Sequence, residues 1–218
     1  MTWDRHSRGP GDTGDSGRKG YHHGNLREAL IAAAQALIVE KGLSGVTFAE
    51  AARAAGVSPA APYRHFPDRE ALLAEVARRG FDVFADRLAA AWGDGRPDPS
   101  AAFTAVGRAY LAFARAEPAY YTTMFEAGLS LDDHAELRAA GDRAFGVLRA
   151  AAETLTAGLK REGRPPALMM ALHIWSMSHG IASLFARADR GRRRLPMSAE
   201  DLLEAEVLIY LKGLGIAP

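Results

Sequence analysis

The sequence predicts an all-α protein of about nine helices, and three observations carry that expectation. Apolar residues recur at three- and four-residue intervals along most of the chain. Helix-start and helix-stop residues punctuate those runs. No stretch of alternating β-branched residues offers a strand. At 218 residues, 48% hydrophobic and 8% aromatic, the chain is long enough to bury a substantial core. Its 27 basic and 26 acidic residues give a formal net charge of +1, so any surface that attracts a polyanion must be local. The absence of cysteine excludes a disulfide framework, an iron–sulfur cluster and a Cys-ligated zinc.

Taken in order, residues 1–20 (MTWDRHSRGPGDTGDSGRKG) contain no apolar run and are expected to form a disordered arm, neither a signal peptide nor an anchor. The first helix lies in NLREALIAAAQALIVEKG, where Asn25 and Glu28 have the spacing of a capping box and Gly42 is the stop. TFAEAARAAG repeats that grammar with Thr47, Glu50 and Gly56. A third helix follows in VSPAAPYRHF, and its two prolines pose a problem. Ser58 as N-cap with Pro59 in the first helical position is favourable. Pro62, however, lacks the amide that would donate the first intrahelical bond to the Ser58 carbonyl, so this helix is expected to start late or distorted.

Asp68 caps a long helix in which Leu72, Leu73, Val76, Phe81, Phe84 and Leu88 recur at helical spacing. GDGRPDPS, residues 93–100, is a linker by composition. The expected organisation is therefore an arm over 1–20, a first unit over 21–92 and a second over 93–218. In the second unit helices are expected in SAAFTAVGRAYLAFARAEP, in PAYYTTMFEAGL, from about 132 to 161, over 165–186, and in SAEDLLEAEVLIYLKGLG, where Ser198 and Asp201 suggest a cap. Residues 165–186 carry no charged side chain over a length able to span a bilayer. His173, Ser176, Ser178, His179, Gly180 and Ser183 interrupt the run and no second candidate follows, so a helix buried between others or at a subunit interface is expected, with no membrane partner.

Function is legible in the first unit. Ala51, Ala52 and Ala55 let two helices approach closely, Gly56 supplies the tight turn, and Val57 and Phe66 fill the junction, which is the pattern of a helix-turn-helix. From about Tyr21 to Leu73 the chain resembles the DNA-binding domain of the TetR family of transcriptional regulators. The residues that carry the resemblance are the threonine-started helix at Thr47, the turn Gly56-Val57-Ser58, and Tyr63 to Phe66 (Tyr-x-His-Phe) ahead of the long helix. It implies a three-helix unit that binds double-stranded operator DNA. Thr47 and Ser58 open helices, where hydroxyls and free amides meet phosphates, though both also serve simply as caps. The resemblance assigns phosphate contacts to Tyr63, His65 and Arg69, and a groove contact to Arg64; core packing is the alternative for Tyr63 and a solvated surface arginine the alternative for Arg69. Ala60 and Ala61 offer only shape and methyl contacts, so phosphates are expected to supply most of the affinity, with a steep salt dependence. Arg18, Lys19, His22 and His23 are further candidates for phosphate or minor-groove contacts, against a merely solvated run of charge.

The second unit resembles the C-terminal domain type named for Trp, His and Gly, here Trp175, His179 and Gly180, preceded by the Met-Phe of PAYYTTMFEAGL. The resemblance implies a homodimer whose C-terminal helices also enclose a small-molecule effector. The small-residue stripe Ser176, Gly180 and Ser183, with the face Leu203, Val207, Leu211 and Leu214, is the expected dimer interface, packing within one chain being the alternative. Phe113, Tyr121, Met124, Phe125, Met169, Trp175 and His179 are the pocket candidates, against plain core. His173 and His179 are six apart on different helix faces, and no HExxH, Gly-rich phosphate loop or nucleophile elbow occurs. No enzyme activity, metal or cofactor is therefore expected. The expected function is a cytoplasmic, ligand-responsive repressor that binds a palindromic operator as a dimer and is released by a small molecule. The alternative is a helical DNA-binding or scaffolding protein without a ligand response.

Overall fold

The computed structural model describes residues 26–159, 164–190 and 195–216. Asn25 of the expected capping box, the arm, and its candidates Arg18, Lys19, His22 and His23 lie outside the described residues. Eight α-helices and no strand occur among the described residues: α1 (Leu26–Lys41), α2 (Phe48–Ala54), α3 (Arg69–Trp92), α4 (Pro99–Ala116), α5 (Pro118–Glu126), α6 (Ala135–Thr156), α7 (Ala167–Arg190) and α8 (Ala199–Gly213).

Side-chain caps start the helices where the sequence places them. The Thr47 hydroxyl accepts from the Glu50 amide at 3.1 Å and Asp68 from Ala71 at 2.8 Å. Asp98 accepts from Ser100 and Ala101, and Ser198 from Asp201. Each cap satisfies an amide that has no intrahelical acceptor. The end of α2 is equally well defined. Gly56 takes a φ of 68°, its amide donates to the Arg53 carbonyl at 3.2 Å, and Val57 donates to Ala52 at 3.0 Å, the paired bonds of a Schellman stop.

The count of eight rather than nine traces to the third expected helix, which is a single 3₁₀ turn, Pro62–Arg64. With no amide on Pro62, Ala61 donates to the Ser58 carbonyl instead, at 3.0 Å, and His65 and Phe66 both donate to the Pro62 carbonyl. Proline thus shortens the hydrogen-bond register and holds the segment to one turn.

Two apolar clusters share α3. Leu72, Leu73 and Val76 close a head with Leu30, Ile31, Leu37, Val46, Phe48 and Phe66. One turn on, Ala77, Phe81, Phe84 and Leu88 join a body core built with α4, α6, α7 and α8. α5 also belongs to both: Ala119 packs in the head cluster and Tyr121 in the body cluster. By length and composition α7 is apolar enough to cross a membrane, with 33% of that stretch buried. Its Met170, Ala171, Ile174, Ile181 and Ala182 complete the body core.

The structure corrects the expected dimer face. Leu203, Val207 and Leu211 are buried in their own chain's core and Leu214 packs against it, because this side of α8 faces α4 and α7. Gly107 on α4 permits that contact: a Cβ there would lie 2.9 Å from a Leu203 methyl. The apolar residues left outside are Leu168, Met169, Leu172 and Leu184 on α7 and Leu208 and Ile209 on α8. Ser176 and Gly180 are exposed on α7 as well.

Candidate DNA-reading head and the cavity behind it

The head presents α2, the Gly56 turn and the 3₁₀ turn together. Pro62 and Phe66 are buried beneath the turn, which turns Ser58, Pro59, Ala60, Tyr63, Arg64 and His65 outward and leaves Ala61 half-buried. Tyr63 is 65% exposed, yet its ring sits edge-on to Phe48 at 4.8 Å. Contact with a buried aromatic neighbour fixes the ring while leaving the phenol in solvent. Thr47 is exposed at the start of α2. Arg69 is held differently from a free surface cation. Its Nε donates to the Val46 carbonyl at 2.7 Å and its Nη2 to the Leu43 carbonyl at 2.6 Å, tying the start of α3 to the loop before α2.

Ion pairs order the rest of the head. Glu50 accepts from Arg53 at 2.6 Å and Lys41 at 2.9 Å, and these hydrogen bonds, Arg53 first, lower its carboxyl to about 2. Glu75, 7% exposed, accepts from Arg27, Arg78 and Arg79. Burial pushes its carboxyl up, but hydrogen bonds from Arg78, Arg27 and Arg79 outweigh that and hold it well below the usual carboxylate range. Arg79 also binds Glu28, so α1 and α3 are clamped by charge as well as by packing. At the other end of the head, His134 Nε2 lies 3.2 Å from Glu70, joining the segment before α6 to the start of α3.

Behind the head, α4, α5, α7 and the start of α8 enclose a cavity of about 420 Å³. Leu111, Ala114, Pro118, Ala182 and Phe185 form its apolar walls, with Tyr121, Thr122, Arg115, Glu126 and Glu200 as polar groups. That balance of apolar wall and few polar groups suits a small organic molecule. Arg115 and Glu200 form an ion pair across it. Tyr121 connects the cavity to a buried polar cluster: His179 Nδ1 lies 2.9 Å from its hydroxyl and 3.1 Å from that of Tyr110. Burial pushes both phenols up. Nε2 of the same ring lies 3.5 Å from Ser183 Oγ, so His179 links both tyrosines to Ser183, each ring nitrogen donating or accepting according to the tautomer.

Of the seven pocket candidates, Tyr121 lines the cavity. Phe125, Trp175 and His179 gather behind it, with Phe125 4.9 Å from His179 and 6.3 Å from Trp175 between ring centroids. Met124 faces Gly80, Phe113 is fully buried against Phe84, and Met169 is exposed on the far side of α7. Sequence reasoning missed Arg115, Thr122, Glu126, Phe185 and Glu200. The spacings Leu111–Arg115 and Thr122–Glu126, each i to i+4, put a polar group beside an inward face, and that signal was present.

Comparisons with known proteins agree with this architecture. Residues 30–76 match the family described as "Bacterial regulatory proteins, tetR family", and residues 103–209 match "Tetracyclin repressor-like, C-terminal domain". The chain is 30% identical over 102 residues to the uncharacterized HTH-type transcriptional regulator YobS of Bacillus subtilis (strain 168). That match covers 45% of this chain and 50% of the relative, so it spans half the relative's length. A protein with unknown function from Rhodococcus sp. RHA1 superposes with a TM-score of 0.75 at 29% identity, over 89% of this chain and 98% of that one. The TetR family transcriptional regulator PfmR from Thermus thermophilus shares the fold, with a TM-score of 0.65 at 24% identity over 84% of this chain and 97% of that one. With both family matches falling on the head and on the helices around the cavity, the chain belongs to the TetR family and is a transcriptional regulator with a DNA-binding domain.

Proposed function

We propose that this regulator is a ligand-responsive repressor that acts in the cytoplasm, binds a palindromic operator as a homodimer and is released by a small molecule held in the cavity. Residues 21–92 form the DNA-binding unit and residues 93–218 the effector and dimerisation unit. The observation that carries this reading is the position of α5. Pro118, Tyr121, Thr122 and Glu126 line the cavity, while Ala119 packs in the head core and Met124 lies against Gly80 of α3. A single nine-residue helix thus borders both the effector space and the head, and a molecule that displaces α5 displaces the head with it. The same cavity favours a ligand response over an unresponsive DNA-binding or scaffolding role. AibR, which shares the fold at 20% identity with a TM-score of 0.66, is known in complex with isovaleryl coenzyme A and operator DNA.

On DNA, the amide-rich start of α2 at Thr47, with the Ser58 hydroxyl, Tyr63 and His65, holds phosphates, and Arg64 reaches base edges in the major groove beside the methyl groups of Ala60 and Ala61; Ser58 opens no helix, because the turn begins only at Pro62. Arg69 acts chiefly by bracing the head, with its outer edge available to a phosphate. Leu168, Leu172, Ser176, Gly180 and Leu184 of α7 and Ile209 of α8 form the dimer surface: they are exposed, apolar or small, and lie on the two C-terminal helices. Selection of binding sites from random DNA, followed by a compound screen for loss of that binding, tests the proposal. A near-palindromic site and at least one releasing compound are expected; failure to select any site refutes the regulator reading for this chain.

A further inference from the structure

Among the described residues the charged groups that line the cavity are not balanced: Arg115 is the cation, Glu126 and Glu200 the anions. Arg115 is taken up by Glu200, whose carboxyl is held below the usual range mainly by that hydrogen bond. Glu126, by contrast, makes no ion pair among the described residues. It is also the last residue of α5, where the unpaired carbonyls of the final turn already concentrate negative potential. A carboxylate at a helix C-terminus is an unfavourable placement that a positive neighbour relieves. Its field is felt inside the cavity, where it adds to the upward push that burial gives the Tyr121 phenol. Thr122, one turn before Glu126, lines the cavity too, as do the aromatic side chains of Tyr121 and Phe185, a residue type that attracts cations.

Building on the effector reading above, we propose that the cavity takes a lipophilic organic monocation, a quaternary ammonium, a phosphonium or a protonated amine on an apolar body. The body fills the walls of Leu111, Ala114, Ala182 and Phe185, and the positive centre sits between Glu126 and the ring of Tyr121. The Arg115–Glu200 pair stays closed, because an anionic ligand would have to compete with Glu200 for the guanidinium. The stretch 187–194, RADRGRRR, contributes five arginines shortly after Ala186 in sequence, so an anion of equal shape is the necessary counter-probe.

Tetraphenylphosphonium and tetraphenylborate are close to isosteric and opposite in charge. Titration of each into the full chain by calorimetry, without DNA, is expected to give a phosphonium Kd at least about tenfold below that of the borate. Glu126→Gln is expected to weaken the phosphonium about tenfold and to leave the borate unchanged or stronger. Phe185→Ala should weaken the phosphonium too, which fixes the location. Equal binding, tighter borate binding, no binding of either ion, or a phosphonium Kd indifferent to Glu126→Gln or to Phe185→Ala overturns the proposal. Because the readout contains no DNA, failure to select an operator sinks the regulator reading without touching this result, and the reverse also holds.

Discussion

Replacing Glu75 by glutamine tests whether the charge cluster holds the head to α3. The carboxylate is 7% exposed and bonded to three guanidiniums at 2.7–3.0 Å. Removing one partner of a fully buried ion pair costs about 3–5 kcal/mol. Here the cost is smaller, because the arginines remain 25–43% exposed and two of them keep other carboxylates, Arg79 with Glu28 and Arg78 with Asp82. We expect about 2 kcal/mol at pH 7, or a fall of about 4–8 °C in Tm for a chain of this size. Urea and thermal denaturation followed by circular dichroism, at one fixed protein concentration, give the value. Arg27 has Glu75 as its only carboxylate partner among the described residues, so a double-mutant cycle with Arg27→Ala isolates that one arm of the cluster. The pH dependence has a definite sign. The folded carboxyl titrates below its unfolded value of about 4.3, so its stabilisation is complete above roughly pH 5 and fades as pH falls towards the folded value. The gap between the parent and Glu75→Gln must therefore narrow on acidification. A gap under about 0.5 kcal/mol at pH 7, or one that widens below pH 4, refutes the reasoning.

Tyr63→Ala is expected to weaken binding to all DNA sites about equally, whereas Arg64→Ala relaxes discrimination at one position per half-site; comparing selected site libraries reverses the assignment if the two patterns swap. Gly80→Ala places a Cβ 2.7 Å from the Met124 sulfur and 3.0 Å from the Tyr120 Cβ, so the Met124 side chain must swing aside and Tyr120 must give way. Overpacking of about 1–3 kcal/mol exceeds the helix-propensity gain of about 1 kcal/mol, and Met124→Ala in the same chain should recover most of the loss in a denaturation assay. Ile209→Arg, at a residue 71% exposed, should leave the folded chain intact but shift it from dimer to monomer by analytical ultracentrifugation; an unchanged sedimentation coefficient removes α8 from the dimer surface.

Much of the fold was legible because local rules and tertiary packing agree here. Thr47, Asp68 and Ser198 cap the helices that their spacing announces, and Gly56 stops α2 in the conformation that glycine permits. The cavity was harder to read. A helix face tells which residues turn inward, but not whether the opposing surface meets them or stops short of them. Phe113 and Tyr121 both follow the inward periodicity of their helices and both are core; Phe113 is closed in against Phe84, whereas Tyr121 also borders the cavity. The last helix misled for the same reason. Its stripe Leu203, Val207 and Leu211 is apolar whether it faces a second chain or its own, and only Gly107, on a different helix, decides that Leu203 fits inside.

The geometry of α3 sets how small a ligand-driven change needs to be. Its 24 residues span about 36 Å, with the head at the N-terminal end and the body core along the remainder. On the proposed mechanism each protomer carries one such lever, and the two heads must match major grooves about 34 Å apart. A tilt of about 5° at the body end moves each head by about 3 Å, and opposite tilts alter the separation by about 6 Å, a large error for side chains that must reach phosphates and base edges. The head does not absorb such a tilt internally. Glu75 and Glu28 bind arginines of both α1 and α3, and Arg69 locks the start of α3 to the loop before α2, so the head follows α3 as a unit. The link that passes a displacement of α5 to α3 is therefore the close packing of Met124 on Gly80, together with the ion pair of Arg87 on α3 with Glu117 at the start of α5, and on the proposed mechanism a molecule in the cavity acts through it.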